Sequence, residues 1–417
     1  MSLLFYTIDP FDSIAFRDGR PFEQDDQGLS EASSVFPPPT PAVCGAVMVA
    51  LADALGVRSG LEWATLAEAW RNDASSETRA RGDDLALLLT PAFSGPYLAL
   101  GETDPDLYLP CPYDLLFVRG ESAPCTRVRP TTQQTFANVA AAGKPWRLDA
   151  AQLFRAANEP CATAEGWFLT APIFEACLND TARLPTKDSL IKLSATVSQD
   201  SRVGLTIDKE LGTAVKSKLY AAEHQRLGVR CRPVRRGTKD NQATTVRIAV
   251  EGPELSSLCG AEIDQIVPFG GEGRCARIRG PYRRNARPVA TSLPRGVTGS
   301  GHLPIRIVAL TPIPCVEGAE WGLNLGLIEV LRGSTIDGAV HTRPTSVGFI
   351  DRKRFKTGAV RVLRCFAAGS TWFASVPCPP CQEQAHFERL IASAITQALA
   401  PADLAIYGFG RFRIGAV

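Results

Sequence analysis

The sequence predicts an α+β fold spread over more than one domain, and three observations carry that reading. The chain opens as strand, loop and helix. It closes as two strands, a helix and a last strand. At 417 residues it is longer than one ordinary hydrophobic core serves. Each end reads as a βαββ-type unit with the middle inserted, and no short solenoid repeat occurs. Hydrophobic residues at 45% and charged residues at 21% are the proportions of a folded soluble chain, and 35 glycines with 31 prolines imply many turns.

In chain order, LLFYTI (Leu3–Ile8) and SIAF (Ser13–Phe16) read as strands, rich in β-branched and aromatic residues. FPPPTP then breaks the chain. Thr40 suits an N-cap and Pro41 the first helical position, Val43, Val47, Ala50, Leu51 and Leu55 follow at helical spacing, and Gly56 ends the helix. Leu61–Arg71 reads as a second helix, and Tyr108–Val118 as loop plus strand. Pro130–Asp200 is weakly patterned. Ser201–Asp208 and Thr244–Gly252 alternate as strands do, and the second half opens with PIRIVALTPI (Pro304–Ile313). Ala359–Val376 reads as a hairpin turning at Ala-Gly-Ser. Gln382–Leu399 is expected as a helix with Phe387, Leu390, Ile391, Ile395 and Leu399 on one face, and AIYGFGRFRIGAV as a closing strand.

The net charge of +2 demands no anionic partner, but the charge is unevenly placed. Arg274, Arg277, Arg279, Arg283, Arg284, Arg287, Arg295 and Arg306 lie between Gly273 and Val316 with no acid among them. Arg226, Arg230, Arg232, Arg235, Arg236 and Lys239 form a second basic run. Such polarity is the footprint of a polyanion site, and the planar guanidinium suits phosphate. Three glycine-rich stretches carry arginine: FRDGRPF, PFGGEGRCARIRG and YGFGRFRIG. Glycine lets backbone N–H groups approach a phosphate, and an arginine or aromatic beside it can stack on a base. None of the three is a P-loop or a dinucleotide-binding fingerprint. Each alone reads as a turn; three together point to nucleic acid.

Catalytic constellations are poor. His224, His302, His341 and His386 are the only histidines, and no HExxH, deaminase or GxSxG pattern occurs. The twelve cysteines are scattered singly, and Cys378-Pro-Pro-Cys381, with His386 nearby, reads as a loop turn with two free thiols. No cofactor or metal is expected. No apolar run nears the roughly 18 residues that span a bilayer. The start MSLLFYTIDPF lacks a basic segment and meets aspartate too soon for a signal peptide, so the protein reads as intracellular, without a membrane partner.

FRDGRPF followed by FPPPTPAVCGAV resembles the N-terminal signature of the third subunit of Cmr-type (type III-B) CRISPR–Cas effector complexes, a family of the RAMP superfamily. YLPCPYDLL resembles that family's proline-rich P-x-P-x-D-L-L segment, DSRVGLTIDKELGTAVKSKLY its R-x-G-I…T…G-x-L-Y segment, and FGGEGR its L-G-G-E-G-R loop. AAGSTWF and YGFGRFRIG resemble its C-terminal motifs. The likeness runs from about residue 10 to the C-terminus. Phe269 stands in place of an aliphatic residue, Trp372 where tyrosine is common, and Ser217-Lys218 lacks the glycine before LY.

The resemblance implies two ferredoxin-like (RRM-like) RAMP domains with insertions that include a thumb-like β-hairpin. Residues 1–130 would begin the N-terminal domain, 131–300 would hold the insertion with the hairpin and glycine-rich loop, and 301–417 would form the C-terminal domain. It implies no catalytic role and a cytoplasmic place. The task would be to hold the 5′ repeat-derived tag of the crRNA, beside the large polymerase-like subunit and the backbone subunits, with target RNA met indirectly. The expected RNA-binding residues are Arg17, Gly19, Arg20, Arg202, Gly270, Gly271, Gly273, Arg274, Arg277, Gly408, Phe409, Gly410 and Arg411, with Tyr407 and Phe412 as further stacking candidates. Within FRDGRPF, Asp18 would orient an arginine that meets phosphate, or Arg and Asp would pair only to support the loop. Another class stays open: a metal-independent endoribonuclease that processes CRISPR precursor RNA, with His224 as the residue to test.

Overall fold

The computed structural model describes residues 4–16, 30–32, 34–57, 62–118, 121–128, 161–179, 184–207, 210, 213–231, 243–271, 273–283, 301–350, 360–379 and 382–417. The first part runs β1 (Leu4–Pro10), β2 (Ser30–Ala32), α1 (Thr40–Ala54), α2 (Trp63–Arg71), α3 (Ser76–Leu88), β3 (Ser94–Leu100), β4 (Asp106–Pro110), β5 (Leu115–Val118) and β6 (Pro124–Arg127). The middle adds β7 (Cys161–Thr163), β8 (Trp167–Thr170), α4 (Ala171–Asn179), β9 (Leu190–Lys192), β10 (Val197–Ile207), β11 (Ala214–Leu227), β12 (Val229–Cys231), β13 (Ala243–Gly252), β14 (Ile263–Pro268) and β15 (Cys275–Arg283). The last part is β16 (His302–Ala309), β17 (Ile313–Pro314), β18 (Thr335–Val340), β19 (Thr345–Ile350), β20 (Val360–Phe366), β21 (Thr371–Pro377), α5 (Glu383–Thr396), α6 (Ala402–Ala405) and β22 (Phe412–Ala416).

The fold is mixed helix and sheet, as expected, in four layers. A nine-stranded sheet has the order β14-β15-β1-β13-β3-β4-β8-β9, with β12 on β13, and all its pairings are antiparallel. Alternation along β1 sets its two faces. Tyr6 and Ile8 join the cluster beneath α1, α2 and α3, while Phe5 joins the cluster on the opposite face. That second cluster also takes in Val308, Val340 and Phe373 of the C-terminal sheet, ordered β18-β21-β16-β22. The far face of the C-terminal sheet buries Ile307 and Trp372 against Phe387 and Leu390 of α5.

Between the two sheets lie buried arginines. Arg306 of β16 pairs with Asp114 at 2.5 Å and donates to Cys177 O and Leu178 O. Arg413 of β22 faces Glu251 of β13 at 3.4 Å. The 131–300 segment divides: β10 and β11 form a long antiparallel hairpin in a sheet of their own, with β2 parallel on β11, whereas β13 to β15 return to the first sheet beside β1.

Several local expectations change. Thr40 is not the N-cap: Pro39 occupies that position without a side-chain bond, and the helix begins at Thr40. Gly56 does end it, with φ 77. SIAF is no strand. Ile14 makes one bridge to Gln225, and the run then bends, its Phe16 N–H donating to Ser34 Oγ at 3.1 Å. Ala359–Val376 is not a hairpin. β20 pairs with β17 and β19, β21 with β16 and β18: the connecting turn closes with Ser370 N–H donating to Ala367 O at 3.2 Å and is also tied to the end of β16, Gly369 N–H donating to Ala309 O and Ala309 N–H to Ser370 O, both at 2.8 Å. The closing stretch starts as α6, and only Phe412–Ala416 is strand. Among the described residues no helix is long and apolar enough to cross a membrane.

Candidate nucleic-acid interface

Asp12 is the centre of the site. It follows β1, where the chain bends away from the sheet. Arg202 of β10 reaches one carboxylate oxygen at 3.0 Å, Arg274 reaches the same oxygen at 3.0 Å, and Arg226 of β11 reaches the other at 3.1 Å. Arg202 and Arg226 also share Asp200, at 3.0 and 3.3 Å. Among the described residues, three guanidiniums thus gather on two carboxylates. Hydrogen bonds from Arg202, Ser13 N–H and Arg274 hold the Asp12 carboxyl well below the ordinary range, at about 2. This pairing is therefore present above the ordinary carboxylate range and is lost only as pH falls toward about 2. The side chains of Asp12 and Arg226 are 46% and 54% exposed, so solvent screens the pairs and an incoming anion can exchange with Asp12.

The GGEGR loop packs against this segment. Phe269 N–H donates to Arg274 O at 2.8 Å and closes the loop. Gly271 N–H donates to Ala15 O at 3.1 Å, and the rings of Phe16 and Phe269 meet edge-on with centroids 5.0 Å apart. Gly270 has φ 90, and a Cβ there would stand 3.2 Å from Ala15 O, so the close approach requires glycine. Gly273, with φ 67, completes the turn into β15. The loop carrying Gly270, Gly271, Gly273 and Arg274 thus lies on Ala15 and Phe16, the described residues just before Arg17, Gly19 and Arg20. Those three residues themselves lie outside the described residues, as do Arg232, Arg235, Arg236, Lys239, Arg284, Arg287 and Arg295.

Beside this cluster is the end of the first sheet, where Arg277 forms a two-point pair with Asp264 at 2.5 and 2.7 Å. Arg247 is buried on Asp9 at 2.9 Å, and Arg279 lies 3.5 Å from the same carboxylate. Desolvation by burial pushes Asp9 above its ordinary value, against the pull of Arg247, Arg279 and Arg277.

The third glycine-rich stretch does not join them. Phe409 is 0% exposed and packs with Phe349. Arg411 is buried and donates to Pro91 O, Gln397 O and Ile395 O at 3.1, 3.2 and 2.8 Å. Gly410, with φ 75, sits where a Cβ would be 2.7 Å from Leu399 C, and a Cβ on Gly408 would meet Cys44 Sγ at 2.6 Å. Gly408, Phe409, Gly410, Arg411 and Phe412 are therefore packing residues, closed to an RNA strand. His224 is also enclosed, 1% exposed with Nδ1 3.3 Å from Ser13 Oγ. Cys378 is a buried free thiol, and Cys381 lies outside the described residues. Among the described residues no group of three His, Cys, Asp or Glu side chains is placed to hold a metal.

A family model described as "CRISPR-associated protein (Cas_Cmr3)" matches residues 6–415. The chain belongs to that family. The likeness read from short motifs is thus a membership spanning nearly the whole chain, and it makes the protein a Cmr subunit. Two solved structures also match: "Cryo-EM structure of the Type III-B Cmr-beta bound to cognate target RNA and AMPPnP, state 1" and "Cryo-EM structure of the Type III-B Cmr-beta bound to cognate target RNA". In each, identity is 14%, the match covers 88% of this chain and 86% of that one, and the TM-score is 0.41. No curated protein sequence matches.

Asp12 carries no local signature as a shared acceptor. Its partners come from residues 202, 226 and 274, and only the fold brings them to one carboxylate.

Proposed function

We propose that this protein is a non-catalytic RNA-binding subunit of a type III-B CRISPR effector ribonucleoprotein, built on two ferredoxin-like RAMP domains. In this reading it holds the 5′ repeat-derived tag of the crRNA in the cytoplasm. It bridges the large polymerase-like subunit to the backbone subunits and meets target RNA indirectly. The observation that carries the reading is the gathering of Arg202, Arg226 and Arg274 on Asp12, at the root of the FRDGRPF segment and against the GGEGR loop. Carboxylate and phosphate present similar oxygen pairs to a guanidinium fork. A phosphate of the tag takes the place of Asp12, and Gly270, Gly271 and Gly273 put no side chain of their own in its way.

The test is a titration of the full chain with single-stranded RNA carrying the tag sequence. The variant R202A/R226A/R274A should bind more weakly, and the slope of log K against log salt should become shallower by about 0.7, the share of one phosphate contact on a single strand. Unchanged affinity and slope would overturn the reading. Asp12→Asn should do the opposite and tighten binding about five-fold at low salt, because one like charge leaves the phosphate's neighbourhood. Incubation with repeat RNA without metal should leave it intact; site-specific scission would move the protein to the endoribonuclease class.

A further inference from the structure

Among the residues whose burial is described, nearly all aromatic side chains are buried or half-buried. Phe409 and Phe412 are fully buried, and Tyr407 is half-buried against Phe349. Among the residues whose burial is described, the single exposed Phe, Tyr or Trp is Phe11, at 61%. One exposed ring is ordinary in itself, but the place of this one is not. Phe11 lies between β1 and Asp12. Its N–H donates to Cys275 O at 3.3 Å, which ties its backbone to β15. The next residue is the carboxylate held by Arg202, Arg226 and Arg274. Across the same sheet end, Asp9 is opposite Arg277, and Arg277 is opposite Ile266, which is 62% exposed. Residues directly opposite on neighbouring strands share a face, so an open aliphatic side chain stands on the face that carries Arg277.

We infer that Phe11 is a base-stacking platform, on which one nucleotide of a single-stranded RNA lays its base while the guanidiniums around Asp12 hold that nucleotide's phosphate. The inference rests on the RNA-binding reading above. Charge complementarity selects the occupant: three guanidiniums converging on one carboxylate suit a phosphate, and a phosphate brings a base with it. Stacking also explains an apolar ring left in water beside charged groups, because the π-face of any base covers it without sequence preference. Ile266 and the stem of Arg277 continue the surface along the sheet end.

The experiment uses the full chain and single-stranded RNAs of the tag sequence with 2-aminopurine at successive positions. One position should lose fluorescence on binding the wild-type protein, and Phe11→Ala should abolish that quenching, which Phe11→Trp restores. Phe11→Ala should bind about ten-fold more weakly, with an unchanged salt slope, since a ring releases no counterions. If Phe11→Ala keeps both quenching and affinity while R202A/R226A/R274A loses binding, stacking is refuted and the RNA-binding reading stands. If the arginine variant also binds as wild type, that reading fails too. If Phe11→Ala instead lowers recovery of a co-purifying protein subunit with RNA binding intact, the ring is a protein-docking residue and the inference is overturned.

Discussion

Asp114→Ala should destabilise the full chain by about 3–5 kcal/mol, read as a lower urea midpoint by tryptophan fluorescence. Asp114 is 0% exposed and accepts from Arg306 at 2.5 Å, with Arg127 at 3.3 Å. Arg306 is 1% exposed and Arg127 4%. Burial pushes Arg306 below its ordinary value, and Asp114 counters that. Without the carboxylate, two guanidiniums remain in an apolar interface with backbone carbonyls as partners. The pair is weak evidence of net stabilisation, because a well-packed apolar pair can equal it. Hence D114L/R127M/R306M, which removes both buried guanidiniums with the carboxylate, should recover much of the loss. A wild-type midpoint for Asp114→Ala would show that water already reaches the arginines. Asp114 is the carboxylate of the YLPCPYDLL segment, so that motif contributes to joining the two sheets.

Arg411→Ala should cost about 3 kcal/mol or more, since three carbonyls lose a charged donor and each such bond is worth roughly 1.5–3 kcal/mol. The carbonyls belong to Pro91, Ile395 and Gln397, so the side chain links the loop before β3 to the end of α5. Arg411→Lys should rescue only part of the loss, because an ammonium is a point donor and the three oxygens fit a fork. Folded Arg411→Ala should bind RNA as wild type does. An Arg411→Ala protein with an unaltered urea midpoint and weakened RNA binding would return Arg411 to the interface.

These two arginines show where sequence reading reaches and where it stops. α1 was legible because its signals are local: apolar spacing, Pro41 at the start and Gly56 at the end. β1 was legible from its β-branched and aromatic residues, and β13 from alternation. α3 was missed: SETRARGDDLALL buries only Gly82, Asp84, Leu85 and Leu88, too few apolar positions to mark a face. Asp84 inside it accepts from Ser256 and Ser257 N–H at 2.9 and 2.7 Å, a contact across 172 and 173 residues. β20 and β21 looked like a hairpin because the turn between them is short, yet strand pairing was decided by distant partners. The glycine-rich loop and Arg202, Arg274 and Arg277 were picked out by type and motif. Nothing in their neighbourhood separated them from Arg411 and Arg413, which go inward, since burial is settled by other parts of the chain.

The position of β1 between β13 and β15 bears on how the protein is made. Leu4 is opposite Gly252 on one side and Arg283 on the other. While the ribosome is still working, β1 emerges before either neighbour. At about 5–20 residues per second, roughly 15 s to a minute passes before residue 283 is out. Throughout that wait LFYTI is an apolar segment with two open edges, and holding it apart from other nascent chains falls to whatever greets the polypeptide at the exit tunnel.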